Sequence, residues 1–263
     1  FVHIGTLYQA IVANRLAKQS GGVCFLRVED TDQKRLVENG IEQILDAVKN
    51  YQIPFDEYPI DMEHEVGEYG PYIQSKRVDI YQAFAKDLII QDLAYPSFLT
   101  DEEKEEMTEK QKKRKQRIGY YGIWASAERS LTMEEVKEKV EKGIPYVIRL
   151  KSIGSFDNKI VVEDCIKGKL EFPENDMDHV LLKSDGIPTY HFAHAVDDTL
   201  MGTTHVTRGD EWLSSLPLHM ELFHVLGFEP PKYAHLATIQ KEEDGKRRKI
   251  SKRKDPEAAV SYY

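Results

Sequence analysis

The sequence predicts an α/β fold interrupted by a long insertion, and three observations carry that prediction. Strand and helix patterns alternate at both ends of the chain. The segment Val23 to Glu29 is apolar on both faces until its end, as in a buried parallel strand. After Tyr95-Pro96 the composition turns highly charged and then mixed, the mark of inserted material. The length of 263 residues fits about two domains at roughly 150 residues each and suffices for a buried core. Apolar residues at 41% and aromatics at 10% exclude wholesale disorder. Cys24 and Cys165 are the only cysteines, which excludes a disulfide framework and a four-cysteine zinc site. No apolar run approaches the ~20 residues of a bilayer span. With 36 Lys+Arg against 45 Asp+Glu the net charge is −9, an argument against simple coating of nucleic acid.

In chain order, the turn at His3-Ile4-Gly5-Thr6 leads into a helix. Its apolar positions are Leu7, Ala10, Ile11, Ala13, Leu16 and Ala17, and Gly21-Gly22 ends it. The strand Val23 to Glu29 follows, then an amphipathic helix marked by Val37, Ile41, Ile44, Leu45 and Val48. Tyr81, Phe84, Ala85, Leu88 and Ile89 form another helical stripe. Asp101 to Arg117 reads as a solvated charged helix, acidic first and basic later. Glu134 to Glu141 is helical up to Gly143-Ile144-Pro145. Strands are expected at Tyr146 to Leu150, Asn158 to Val162, Val180 to Leu182, Thr189 to Ala193, His205 to Arg208 and Tyr233 to Ile239. A helix containing Leu216, Met220, Phe223, Val225 and Leu226 stops at Gly227. The ends, Phe1 and Ser261-Tyr262-Tyr263, show no capping, stop or signal-peptide pattern, so a piece of a longer cytoplasmic chain is expected.

Two segments carry phosphate chemistry. From Lys246 to Lys254, seven of nine residues are Lys or Arg, in an otherwise acidic chain. Crowded cations need solvation or a polyanion, and on charge alone a solvated basic loop with a mobile Gly245 is an equal reading. The order Lys249-Ile250-Ser251-Lys252-Arg253 sets two ammonium groups three residues apart around a hydroxyl, which suits a triphosphate. At the other end, His3 and Gly5 lie where a helix begins. Backbone amides there attract phosphate and glycine admits a flat ligand, although a histidine at a turn is more often structural.

Together these segments resemble the paired signatures of class I aminoacyl-tRNA synthetases. The text between them is similar to bacterial-type glutamyl-tRNA synthetases, in order along essentially the whole chain. The matching segments are Leu26-Arg27-Val28-Glu29-Asp30-Thr31-Asp32, Gly70-Pro71-Tyr72-Ile73-Gln74-Ser75 with Arg77, Tyr146 to Leu150, Asp178 to His191, and Arg208-Gly209-Asp210-Glu211-Trp212-Leu213. The resemblance implies a Rossmann-type parallel-sheet catalytic domain made of residues 1–85 and 189–240. It implies a mixed α+β insertion, residues 86–188, that cradles the tRNA acceptor stem and whose basic run Lys110 to Arg117 is a candidate for phosphate contact. Residues 241–263 would begin the stem-contact region with the phosphate loop, the anticodon-binding part being absent. The implied reaction joins L-glutamate to tRNA(Glu) through a glutamyl-adenylate, with ATP as substrate and Mg²⁺ accompanying it, in a cytoplasmic and mostly monomeric enzyme.

Residue by residue, the resemblance implies that Lys252, Lys249 and His3 serve catalysis. His3, Gly5, Glu211, Ile239, Lys249, Ser251 and Lys252 would bind the nucleotide. Glu29, Tyr190, His194 and Arg208 would bind glutamate, Arg208 at its γ-carboxylate and Glu29 near its ammonium. Trp212 would sit beside the nucleotide and tRNA end. Structural ion pairing is the other reading for Arg208 and Glu29. Three departures stand out. The Arg-Phe-Ala-Pro-Ser-Pro-Thr-Gly-like segment usual before the first signature is not in this sequence. His194 stands where many bacterial members carry asparagine. Ser97-Phe98-Leu99 and Tyr121 to Ala125 stand where some members hold zinc through cysteines, so no zinc is expected. His191 and His194, three apart on an expected strand, would face opposite ways and make a poor metal pair. Alternatives are an enzyme that glutamylates a modified tRNA base, disfavoured by Arg253, and a non-catalytic tRNA-binding module, disfavoured by the intact signatures. The glutaminyl relatives' Asp-Asp-Thr-Asn differs from Glu29-Asp30-Thr31-Asp32.

Overall fold

A computed structural model describes residues 3–32, 39–243, 245–250, 254, 255 and 258. In chain order its elements are α1 (Ile4–Ser20), α2 (Gly40–Asn50), β1 (Tyr58–Pro59), β2 (Glu65–Val66), α3 (Val78–Ile90), β3 (Ala94–Ser97), α4 (Asp101–Lys113), α5 (Ser126–Arg129) and α6 (Met133–Glu141). There follow β4 (Val147–Leu150), β5 (Lys159–Asp164), β6 (Gly168–Pro173), β7 (Val180–Leu182), α7 (Tyr190–Leu200), β8 (His205–Gly209), α8 (Leu216–Val225), β9 (Lys232–Leu236), β10 (Gln240–Glu243) and β11 (Lys246–Lys249).

Local chemistry sets the helix ends. Thr100 and Thr132 each close a capping box with the glutamate three residues on, starting α4 and α6. Gly21 ends α1 in the left-handed conformation, φ 65°, which its missing Cβ allows.

The central sheet runs β6-β5-β9-β8. Strands β5, β9 and β8 are parallel, and β6 returns antiparallel from β5. A second sheet, β3-β4-β7, is antiparallel. The largest core packs α3, α7 and α8 with this second sheet, and in it Tyr81, Leu88, Leu150, Leu181, Phe192, Val196, Leu222 and Phe223 are almost wholly buried. Leu7 of α1 packs with Ala47 and Ile53 in a smaller cluster. Ile11 of α1, expected in the apolar stripe, is 45% exposed.

Several expectations change. Val23 to Glu29 is extended but forms only single parallel bridges, Phe25 to Glu57 and Val28 to Ile73. Its hydrogen bonds switch from one neighbour to the other before a ladder builds. Thr189 to Ala193 is not a strand. Thr189 is the extended N-cap of helix α7, whose residues Phe192 to Asp198 are all buried. A short apolar run suits either period, and the burial of seven successive residues is what an interior helix achieves. His191 and His194 therefore share a helix face rather than opposing each other. The last expected strand stops at Leu236, and residues 237–239 leave the sheet. The basic cluster is no open loop at its start. Lys246 to Lys249 pair antiparallel with Gln240 to Glu243, with Gly245 at φ 72° in the turn. Glu242 and Glu243 stand opposite Arg247 and Lys246, and Arg248, which faces Lys241, is paired with Glu243 and Asp255, so acids relieve part of the cation crowding. Ser251, Lys252, Arg253 and Val37 lie outside the described residues.

The charged segment behaves as a solvated helix. Lys110 pairs with Glu106 at 2.7 Å and Lys112 with Glu109 at 2.8 Å. Arg117 is held by Asp176 and lies over Phe156, its guanidinium carbon 3.7 Å from the ring centroid. Where some relatives carry zinc, Tyr95, Tyr120 and Ala125 form a small apolar cluster, and the Ser97 hydroxyl accepts a hydrogen bond from Arg149 Nε at 3.2 Å. Packing thus occupies these positions. Metal analysis of the purified protein is expected to find no stoichiometric zinc, and a one-to-one content would overturn that expectation.

Candidate active site

Parallel strands β8 and β9 end side by side, and the candidate site lies beyond those ends, where ligands bind in open α/β sheets. An open cavity of about 320 Å³ is lined by His3, Gly5, Gly209, Glu211, Ile239 and Lys249, among others. His3 is the N-cap of α1: its Nδ1 accepts a hydrogen bond from the Gly5 amide at 3.1 Å. The neutral ring then carries its proton on Nε2. The first turn of α1 holds no acid, so its positive end is not neutralised by the helix itself. Across the cavity, Lys249 Nζ donates to Glu211 Oε1 at 2.8 Å, and the Ile250 amide donates to the Ile239 carbonyl at 3.1 Å. The structure thus brings His3, Gly5, Glu211, Ile239 and Lys249 together. The expected Ser251 and Lys252 are outside the described residues.

Next to Gly209 in the chain, a second constellation surrounds Arg208. This residue is 5% exposed. Its Nε donates to His235 Nε2 at 2.9 Å, and Nη1 to His219 Nδ1 at 3.1 Å. The Tyr190 hydroxyl also accepts from it, and its guanidinium carbon lies 4.6 Å from the Tyr233 ring centroid. All these partners are uncharged. Among the described residues no carboxylate forms a direct ion pair with Arg208; Asp164 reaches it through His235, and Asp198 acts on it from further away. Trp212 packs on Tyr190, centroids 4.6 Å apart.

The expected glutamate residues meet here by different routes. Glu29 is tied to Arg27, NH2 to Oε1 3.4 Å, and Arg27 is anchored on Asp198 at 2.8 Å. Protein around the Glu29 carboxyl raises its pKa, Arg27 opposing, although 39% of the side chain is exposed. His194 is buried, with Nε2 2.9 Å from the Tyr233 hydroxyl and Nδ1 3.0 Å from Asp198 Oδ2. The Tyr233 hydroxyl thus engages Nε2, while Asp198 lies close to Nδ1 without hydrogen-bond geometry. Burial pushes the Tyr190 hydroxyl up to about 12, with Glu29 adding to the effect.

Sequence reasoning missed Asp164, His219, His235 and the Asp197 hub. Asp197, wholly buried, accepts from Gln74 at 2.9 Å, Arg77 at 2.7 Å and the Tyr81 hydroxyl at 2.7 Å. A histidine inside an apolar run, as in Leu218-His219-Met220 or Ala234-His235-Leu236, reads as a satisfied core residue. The available signal was the number of such histidines in one half of the chain.

The histidines are held neutral. Burial depresses His191 to about 4, with His179 and Arg208 adding; burial also depresses His219, His194 and His235. Unfolded histidine takes up its proton near pH 6.5, while folded His191 resists until about 4. Between those values the unfolded state binds more protons, so stability falls as the pH drops. The melting temperature at pH 5 is expected about 5 °C or more below that at pH 7.5. An equal melting temperature at the two pH values would remove the neutral-histidine assignment.

An α/β fold with an open cavity and a buried arginine at the ends of parallel strands has the layout of a ligand-binding α/β enzyme domain. The whole chain, residues 1–263, matches the family model of tRNA synthetases class I (E and Q), catalytic domain, and the chain belongs to that family. It is 54% identical over 263 residues to the glutamate–tRNA ligases of Clostridium beijerinckii and Clostridium perfringens. The match covers all of this chain and 47% and 48% of those proteins. The crystal structure of a glutamate tRNA ligase from Elizabethkingia meningosepticum, in complex with its amino acid, superposes with a TM-score of 0.86 at 38% identity. That match covers 97% of this chain and 50% of the other. The chain therefore spans about half the length of the relatives it matches. Among the described residues no helix is long and apolar enough to cross a membrane.

Proposed function

We propose that this chain is the catalytic half of a glutamate–tRNA ligase. ATP and L-glutamate meet at the ends of β8 and β9; the glutamate α-carboxylate attacks the α-phosphate, giving glutamyl-adenylate and pyrophosphate. The terminal ribose hydroxyl of tRNA(Glu) then takes the glutamyl group and releases AMP. The observation that carries this reading is Arg208, buried with only uncharged partners. A γ-carboxylate compensates that charge, whereas the neutral amide of glutamine does not. Glu29 serves the substrate ammonium, Tyr190 the same carboxylate as Arg208, and His194 the pocket wall. His3, Gly5, Ile239, Ser251 and Lys252 serve the nucleotide. Lys249 exchanges its Glu211 partner for phosphate.

Mg²⁺ accompanies ATP in this reading, held mainly by phosphate and water oxygens. Glu211 is the one carboxylate lining the cavity among the described residues, and it is already paired with Lys249. Residues 86–188 receive the acceptor stem, and the working protein is a cytoplasmic monomer. The test is tRNA-dependent exchange of pyrophosphate into ATP with glutamate, using the full-length chain. Exchange with glutamate and none with glutamine is expected; no exchange with glutamate in the presence of tRNA would overturn the reading.

A further inference from the structure

The register of the central sheet places Arg208 opposite His235 on β9, and β9 opposite the end of β5, where Asp164 stands. Arg208 Nε donates to His235 Nε2, so that nitrogen is an acceptor and the neutral ring carries its proton on Nδ1. His235 Nδ1 lies 2.6 Å from Asp164 Oδ2 and donates to it. Asp164 is 2% exposed and His235 fully buried. We infer that Asp164 and His235 are positioning residues for substrate selection. Asp164 fixes the protonated nitrogen of His235, His235 thereby presents an acceptor to Arg208, and the guanidinium is aimed at the substrate carboxylate. The inference rests on the proposed role of Arg208.

The arrangement has a chemical reason. A carboxylate facing Arg208 directly would neutralise it and compete with the substrate. An imidazole in between holds the guanidinium by one N–H while leaving its charge available. The carboxylate is kept one ring away, where it acts on orientation. The other reading of Asp164 is a turn-former, since its Oδ1 accepts from the Ile166 and Lys167 amides at 2.9 Å each.

Asp164→Asn separates the two roles. Its amide oxygen still accepts from both turn amides and from the His235 backbone amide, which lies 3.3 Å from Oδ1, but its NH₂ replaces Oδ2 and now faces His235 Nδ1 and, at 3.1 Å, the same amide. The ring must move its proton to Nε2, which then meets the Arg208 Nε–H donor to donor. In the full-length chain the glutamate KM is expected to rise about tenfold or more, since small misplacements of a binding group are costly. The ATP KM and kcat are expected to change less than about threefold, because the nucleotide cavity is untouched. Nitrogen-15 spectra of labelled histidine should show the His235 proton on Nδ1 in the wild type and on Nε2 in the variant.

A second pair covers the case in which Asp164→Asn does not fold. His235→Gln keeps an acceptor for Arg208 and loses Asp164, and should bring the glutamate KM back towards the wild-type value. His235→Asn keeps a donor for Asp164, loses the acceptor, and should resemble Asp164→Asn. The inference is overturned by a wild-type proton on Nε2, by an unchanged glutamate KM in Asp164→Asn once its proton has moved, or by the reverse order of the His235 variants. A wild-type chain inactive on glutamate but with the proton on Nδ1 would overturn the functional reading while supporting the Asp164–His235–Arg208 order.

Discussion

Arg208→Ala is expected to lower kcat/KM for glutamate at least a hundredfold, about 2.7 kcal/mol of transition-state binding. The size follows from burial. Arg208 is 5% exposed and hydrogen-bonded to two neutral histidines, so a carboxylate reaching it forms a charge-assisted pair away from water. Truncation removes that pair and leaves the His219 and His235 acceptors without their donor, a further cost. Arg208→Lys should recover little, because an ammonium cannot donate to His235, His219 and a carboxylate in the fixed directions of the guanidinium fork. Steady-state exchange kinetics check this; glutamate kcat/KM within threefold of wild type in Arg208→Ala would refute the role.

Lys252→Ala should lower glutamate activation at least tenfold, about 1.4 kcal/mol of barrier. The reacting nucleophile is the substrate's own carboxylate, so the protein's task is to stabilise charge building at the α-phosphate. The loss should therefore fall on kcat more than on the KM for ATP. Lys252 itself is outside the described residues; of the residues before it, Lys249 and Ile250 line the cavity. Arg248 donates from two nitrogens to buried Asp255, at 2.7 and 2.8 Å, and Lys249 reaches Glu211. Single-turnover rates check the prediction, and an unchanged rate removes Lys252 from the mechanism.

The acidic total of the chain proved a poor guide to where phosphate is handled. The −9 net charge is spread over surface helices such as α4, where Lys110 and Lys112 are taken by glutamates one turn away. The basic hairpin sets Lys249 on the cavity wall instead, and local spacing rather than net charge found it.

Sequence alone determined the elements whose signals are local. Helical spacing, a charged run and a terminal glycine give α1, α4 and α6, because each is set within one or two turns of chain. The two segments proposed to bind phosphate were legible for the same reason: their chemistry is a run of neighbouring residues. The tertiary structure decided whatever depends on residues far apart. It made Tyr190 to Leu200 a helix, because burial on every side, invisible in a short apolar run, favours a helix that satisfies its own backbone. It put Asp164, His235 and Arg208 in a row, since parallel register sets strands side by side however distant they are in sequence. That arrangement turned two ordinary-looking core histidines into neutral acceptors around a buried cation, because only a closed interior depresses their pKa enough to keep them so.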